Sequence, residues 1–203
     1  MLEAMNLSCA RGERRLFSGL NFSLRAGTFV QAFGPNGSGK TSLLRIICGL
    51  LAPDAGEVRW EGTNIRRLGE EYFGAIAYVA HQNGVKDELN PIENLRISSG
   101  VAGSALSKRE AQAILERVGL SRQQHLPARL LSAGQRRRLA LSRLLASRAK
   151  LWILDEPLAS LDDDGAALAR KLISEHLGND GMAIIATHQE MILSAGQMQR
   201  IEL

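Results

Sequence analysis

Apolar positions along the chain fall into two rhythms. Short runs with turns between them read as strands: "LEAMNLSC" (2–9), "LNFSLRAG" (20–27), "TFVQAFG" (28–34), "EVRWEG" (57–62), "AIAYVAHQ" (75–82), "KLWILDEP" (150–157), "MAIIATH" (182–188) and "MQRIEL" (198–203). Longer runs with apolar residues three or four apart predict helices at 40–50, 107–120, 135–148 and 163–177, with a short helix between 188 and the last strand. "KLWILDEP" is apolar on nearly every residue before its acids, so that strand is buried on both faces. Such strands alternating with helices predict an α/β fold with a mainly parallel sheet covered on both sides. Residues 85–135 depart from this rhythm. They hold Pro91, a Gly/Ser loop at 98–107, and a helix with Ser107 as N-cap, Glu110 completing a capping box and Gly119 ending it. This stretch reads as a helical insert.

Composition narrows the class. The chain has 203 residues, of which 45% are hydrophobic, enough for a sizeable core. No run of about eighteen apolar residues is present, so no transmembrane helix is expected. The opening "MLEAMNLSCARGERRLF" lacks the apolar stretch of a signal peptide, and a cytosolic location is expected. Cys9 and Cys48 form neither a disulfide framework nor a metal-ligand spacing and are expected to be reduced, half-buried thiols. The net charge is +4, but aromatics are only 4%, which argues against a platform for stacking single-stranded nucleic acid.

The chemistry begins at Gly34-Pro35-Asn36-Gly37-Ser38-Gly39-Lys40-Thr41, followed by Ser42. This is a phosphate-binding loop placed between a strand and a helix. Glycines let backbone amides approach phosphate oxygens, and the helix N-terminus adds partial positive charge. Lys40 reaches the β- and γ-phosphates, and the Thr41 hydroxyl ligates Mg²⁺. The complementary acid lies at the end of the apolar strand. Asp155 is placed to hold Mg²⁺ and Glu156 to polarise the attacking water; without the phosphate loop the same pair would read equally well as a solvated strand end.

One helix start is electrostatically odd. In "LLSAGQRRRLALSRLLA" (130–146), the loop Ser132-Ala133-Gly134-Gln135 runs into Arg136, Arg137 and Arg138, cations at the positive end of a helix dipole. They pair with acids of the chain, are solvated, or contact a phosphate. His81, His125 and His176 have no motif placement and read as structural or solvated.

Taken together these stretches resemble the ATP-binding cassette of ABC transporters over nearly the whole chain. Leu131-Ser132-Ala133-Gly134-Gln135 resembles the family's LSGGQ signature, Gln82 its Q-loop glutamine, Ser160-Leu161-Asp162 its D-loop, and His188 its switch histidine. "GLLAPDAGEVRWEG" resembles the turn and strand after the family's first helix. The resemblance implies a P-loop NTPase with a RecA-like core, an N-terminal antiparallel β part and an inserted helical subdomain. It implies one cassette domain, with residues 1–84 and 136–203 as nucleotide-binding core and 85–135 as helical and signature subdomain. It implies ATP and Mg²⁺ as ligands, with Thr41, Gln82 and Asp155 at the metal and Glu156, His188 and Gln82 in catalysis. Two cassettes would bind head to tail, so that Ser132 and Gly134, with Ala133 and Gln135 in the same loop, face the γ-phosphate held by the partner's Lys40. Asp162 would lie at that junction.

Two positions depart from the family pattern. Ala133 replaces a glycine, which requires a negative φ there or a strain of about 1 kcal/mol. Arg11-Gly12 stands where an aromatic residue usually stacks on adenine; a guanidinium can stack on a base, so Arg11 takes that role and acceptance of GTP stays open.

Within the family, "YVAHQNGVKDELNPIENL", "LSAGQRRRLALSRLL" and "LWILDEPLASLD" resemble most the ATP-binding subunits of bacterial haem exporters serving cytochrome c maturation. This implies peripheral attachment to the cytoplasmic face of the inner membrane and separate transmembrane subunits. Haem would be handled only indirectly, since no Cys-x-x-Cys-His motif is present. The alternatives are the ATPase subunit of another ABC transporter, or a soluble regulatory or nucleic-acid-associated cassette supported only by the arginine-rich composition.

Overall fold

The computed structural model describes residues 1–203. Two sheets lie along the chain. Strands β1 (Leu2–Arg11), β2 (Arg14–Leu24), β4 (Ala55–Trp60) and β5 (Thr63–Asn64) form an antiparallel sheet in the order β2-β1-β4-β5. Strands β3 (Thr28–Phe33), β6 (Ile76–Val79), β7 (Leu151–Asp155), β8 (Met182–Thr187) and β9 (Gln197–Glu202) form an all-parallel sheet in the order β6-β7-β8-β3-β9. The fold class read from the sequence is therefore the one observed.

The parallel sheet is buried on both faces because successive side chains point to opposite sides. Leu151 and Ile153 of β7, with Met182, Ile184 and Ala186 of β8, join one core with the antiparallel sheet and helix α1 (Lys40–Ile47). Trp152 and Leu154, with Ala183 and Ile185, join a second core under α6 (Ala133–Ala146) and α7 (Asp163–Gly178). Burying one such aliphatic side chain contributes about 1.5–3 kcal/mol, so the sheet is the stiff part of the molecule, and both β3 and β7 end at the phosphate loop and its acids.

A third core belongs to the insert. It packs α4 (Pro91–Val101) and α5 (Lys108–Arg117) against Leu131, Leu139 and Leu172. The Ser107–Glu110 capping box is present. Helix α4 runs into the predicted Gly/Ser loop, because Ser98 and Ser99 donate their hydroxyls to the carbonyls of Leu95 and Arg96 and stay helical. Asn90 and Glu93 form a second capping box, with Pro91 in the first turn.

Four further expectations change. The short helices α2 (Ile65–Leu68) and α3 (Glu70–Ala75) precede β6. Strand β2 begins at Arg14, far earlier than residue 20, because it pairs with β1 down to Arg11↔Arg14 across the Gly12 turn. No helix follows His188: buried Gln31 donates to the Gln189 carbonyl and accepts from the Met191 amide, taking the groups a helix would need. Cys9 and Cys48 are free, as expected, but buried rather than half-buried; burial pushes the Cys48 thiol up to about 12, with Asp155 adding to the shift.

Candidate nucleotide site

A cleft of about 530 Å³ opens between the β1–β2 hairpin and the strand ends, lined by Arg11, Arg14, Lys40, Thr41, Asp155 and Glu156 among others. Its floor is the phosphate loop. Gly39 sits at φ +114°, a left-handed conformation that glycine tolerates, and a side chain there would also crowd Leu16 and Phe17 at 3.0–3.2 Å. Gly39 is also the N-cap of α1, with no side-chain cap and no acid in the first turn. The helix therefore presents amide N–H groups to the cleft, as an anion site requires. The Ser38 hydroxyl is buried in the loop without a partner. Lys40 is 6% exposed and donates to the Gly34 and Pro35 carbonyls at 2.6 and 3.0 Å, with Glu156 at 3.9 Å. Asn36, Gly37 and Ser42 complete the lining on this side.

The acids arrive on β7. Thr41 Oγ1 donates to Asp155 Oδ2 at 2.9 Å, bringing together two hard oxygen groups from opposite halves of the chain. Burial raises the Asp155 carboxyl above the usual carboxylate range, against the Thr41 hydrogen bond, which lowers it. No group of three or more His, Cys, Asp or Glu converges on one point. A cation that keeps several waters and binds through one carboxylate and phosphate oxygens fits this pair; Mg²⁺ does so. Glu156 follows at φ +49°, a strained value for a side-chain-bearing residue that costs about 1–3 kcal/mol. Its Oε1 lies 3.1 Å from His188 Nδ1.

The structure re-sorts several motif residues. His81 lines the cleft, whereas the sequence reading left it structural or solvated; Gln82 is exposed and outside the lining. Strand β6 ends at Val79, and in the bend that follows His81 lines the same cleft as Asp155. His176 is structural: its ring stacks on Trp152 with centroids 3.9 Å apart, and burial lowers its basicity. His125 is exposed.

Ser132 through Gln135 are not loop but cap and first turn. Ser132 is the N-cap of α6, forming a capping box with Gln135, and Ala133 is already helical, which removes the strain expected of alanine. Gly134 is needed for proximity rather than φ, since a Cβ there would stand 2.9 Å from the Ser160 carbonyl. Asp162 caps α7 by accepting from Gly165 N at 2.9 Å. None of Ser132–Gln135 lines the cleft of its own chain.

The three arginines diverge. Arg136 pairs with Asp87 at 2.6 Å. Arg137 is buried among backbone carbonyls. Arg138 Nε is buried without a partner. None of the three lines the cleft. Sequence reasoning missed Arg137, whose partners lie 18 to 57 residues away.

Known proteins place these features. A family model described as "ABC transporter" matches residues 17–159. The chain is 52% identical over 202 residues to the "Cytochrome c biogenesis ATP-binding export protein CcmA" of Nitrosospira multiformis, covering 100% of this chain and 98% of the relative. It is 43% identical to the protein of that name from Pseudomonas aeruginosa, covering 99% of each. Among solved structures, a Pyrococcus furiosus protein assigned as an ABC transporter ATP-binding protein superposes with a TM-score of 0.85 at 27% identity, covering 98% of this chain and 96% of that one. An ATP-binding cassette solved as a dimer, in a post-hydrolysis state with ADP and Pi, superposes at 0.82 with 25% identity, covering 93% and 88%.

Proposed function

The chain belongs to the ABC transporter family as one of its ATP-hydrolysing subunits, and from that premise we propose that it drives a membrane complex which exports or delivers haem for cytochrome c biogenesis. The names of its relatives, matched over their whole length, support that assignment. No helix is long and apolar enough to cross a membrane. The subunit then works from the cytoplasmic face of the inner membrane, attached to separate transmembrane subunits, and those subunits handle haem.

The reaction is ATP plus water to ADP plus phosphate. The observation that carries the reading is the convergence of Lys40, Thr41, Asp155 and Glu156 on one cleft. Backbone N–H groups between Asn36 and Gly39 and the α1 N-terminus hold the β- and γ-phosphates, Pro35 having no N–H to give, and Lys40 turns from the Gly34 and Pro35 carbonyls to join them. Thr41 and Asp155 would hold Mg²⁺, with Gln82 joining them only if its loop turns it into the cleft, and the bound ion would neutralise phosphate charge. Glu156 polarises the water in line with the γ-phosphate, and His188 steadies Glu156. Arg11 stacks on the base.

The site is finished by a second copy. Ser132 and Gly134, with the free amides of the α6 first turn, contact the γ-phosphate held by the partner's loop, and Asp162 lies at the junction. What supports this is that Ser132 and Ala133 are exposed, Gly134 and Gln135 half-buried, and none of the four lines the cleft of its own chain. We divide the single cassette into a nucleotide-binding core (1–84, 136–203) and a helical and signature subdomain (85–135), with the third core shared across the division.

Affinity purification of the chain from detergent-solubilised membranes tests the reading. Co-purifying integral membrane subunits, with ATPase activity lost on Lys40→Ala, are expected. A chain recovered alone, or with RNA released by salt, contradicts it.

A further inference from the structure

Arg137 is only 2% exposed, yet no carboxylate side chain bonds to it. All five N–H donors of its guanidinium end on oxygen. Nε donates to the Pro157 carbonyl at 3.3 Å. Nη1 donates to the Ala80 carbonyl at 2.9 Å and to Asn83 Oδ1 at 3.1 Å. Nη2 donates to the carbonyls of Asp155 at 2.6 Å and Glu156 at 2.8 Å. These oxygens belong to two segments, the loop after β6 that carries His81 and Gln82, and the end of β7 that carries the acids. Arg143, further along α6, adds a bond from Nη2 to the Asn83 carbonyl at 2.6 Å.

The clamp falls on the strained residue. Glu156 holds φ +49° while Arg137 bonds its own carbonyl and those on either side. From the other direction the Glu156 amide donates to the Ala186 carbonyl of β8 at 2.8 Å. The backbone is fixed on both sides, leaving the carboxylate to His188 and Lys40.

We propose that Arg137 is a positioning residue for hydrolysis: it holds Glu156 in its left-handed conformation and ties it to the loop bearing His81 and Gln82, so that loop, signature helix and hydrolytic carboxylate move as one unit. The proposal rests on the reading of Glu156 as the group that polarises water. It requires a guanidinium. The three donors of a lysine ammonium sit at one point and cannot reach oxygens spread around a planar fork.

The test uses the full chain with the membrane subunits that co-purify with it. Arg137→Lys and Asn83→Ala are each made alone and in a Glu156→Gln background, with thermal midpoint, ATP Kd, KM and kcat measured. Arg137→Lys is expected to lower kcat at least about tenfold while KM and Kd stay within about twofold. In the Glu156→Gln background it is expected to change the residual single-turnover rate by less than about twofold, because both substitutions remove the same contribution. Asn83→Ala, which spares the bonds to residues 155–157, is expected to lower kcat less and also to have no effect on that background; it carries the test if Arg137→Lys does not fold. Unchanged kcat in folded Arg137→Lys, an equal loss with and without Glu156, or a Kd that worsens in step with kcat overturns the proposal and leaves Arg137 merely structural. Full turnover by Glu156→Gln alone would instead remove the role given to Glu156.

Discussion

His188 Nδ1 lies 3.1 Å from Glu156 Oε1, although the two residues are 32 apart in sequence and sit beyond the ends of adjacent parallel strands. The Glu156 side chain is 14% exposed and His188 is 55% exposed. The histidine thus closes the outer side of a carboxylate whose inner side faces Lys40. Parallel β7 and β8, in register from Leu151↔Met182 to Asp155↔Ala186, deliver both groups to the same edge.

Replacing that carboxylate isolates its chemistry. Glu156→Gln keeps the side chain's size, and ATP Kd should stay within about threefold, while kcat falls by about 10²–10⁴, the range of a lost general base. Equilibrium binding of a fluorescent ATP analogue and phosphate release report the two quantities. Turnover at the parent rate would exclude Glu156 as the base.

Asp155 makes a pH-dependent prediction. Its carboxyl is raised above the usual range, so folding disfavours its charge. That group's contribution is favourable below the ordinary carboxylate value of about 3.9 and is lost as pH rises through its raised folded value. Asp155→Asn should therefore raise the thermal midpoint of the nucleotide-free chain at neutral pH, and the gain should vanish towards pH about 3.9. The same substitution should abolish stabilisation by Mg²⁺ with ATP. A midpoint lowered at neutral pH would contradict this account of the buried acid.

The signature turn separates two neighbouring small residues. Gly134→Ala places a methyl 2.9 Å from the Ser160 carbonyl, and should lower ATPase activity by at least about tenfold with ATP Kd unchanged. Ala133→Gly meets no such contact and should alter stability by at most about 1 kcal/mol. Urea unfolding and steady-state hydrolysis of both variants check the contrast.

The proposed base site is cationic. Arg11 and Arg14 face each other across the hairpin tip and both line the cleft. Arg11→Ala should weaken ATP and GTP alike by about 1 kcal/mol, and Arg11→Tyr should restore binding, since either a guanidinium or an aromatic ring can stack on a base. Calorimetric titration measures both. Unchanged affinity on Arg11→Ala would remove Arg11 from the site.

How far these features were legible in sequence depended on whether local chemistry determined them. The phosphate loop was legible because a strand, glycines and a lysine-threonine pair stand together between residues 28 and 41. The Ser107 capping box was legible for the same reason, and Asn90 with Glu93 carried the same signal unused. The segment after His188 was misread as a helix because its path is set by Gln31, about 160 residues away, rather than by its own propensities. Arg137 was hidden for a similar reason. Four of its five partners are backbone carbonyls, which carry no sequence signature, and only the packing of α6 beside β6 and β7 brings them to one guanidinium. His81 and Gln82 are adjacent, and only the backbone course after β6 shows that His81 rather than Gln82 lines the cleft with Asp155.

Two of the three cations at the start of α6 also find their explanation in tertiary structure, whereas Arg138 Nε is buried without a partner. One pairs with Asp87, and another is held by carbonyls at the edge of the neighbouring sheet. Neither guanidinium therefore occupies the positive end of the helix at Ser132 and Gly134, the half-site that the proposed second copy would need.

The mass of the Glu156→Gln chain in ATP tests that requirement most directly. With ATP, sedimentation should show twice the 22.1 kDa of one chain, with ADP a single chain, and the added Ser132→Arg substitution should return the ATP form to a single chain while ATP still binds. A single chain at saturating ATP, or a dimer indifferent to Ser132→Arg, would contradict the claim that the signature turn of one copy completes the phosphate site of the other.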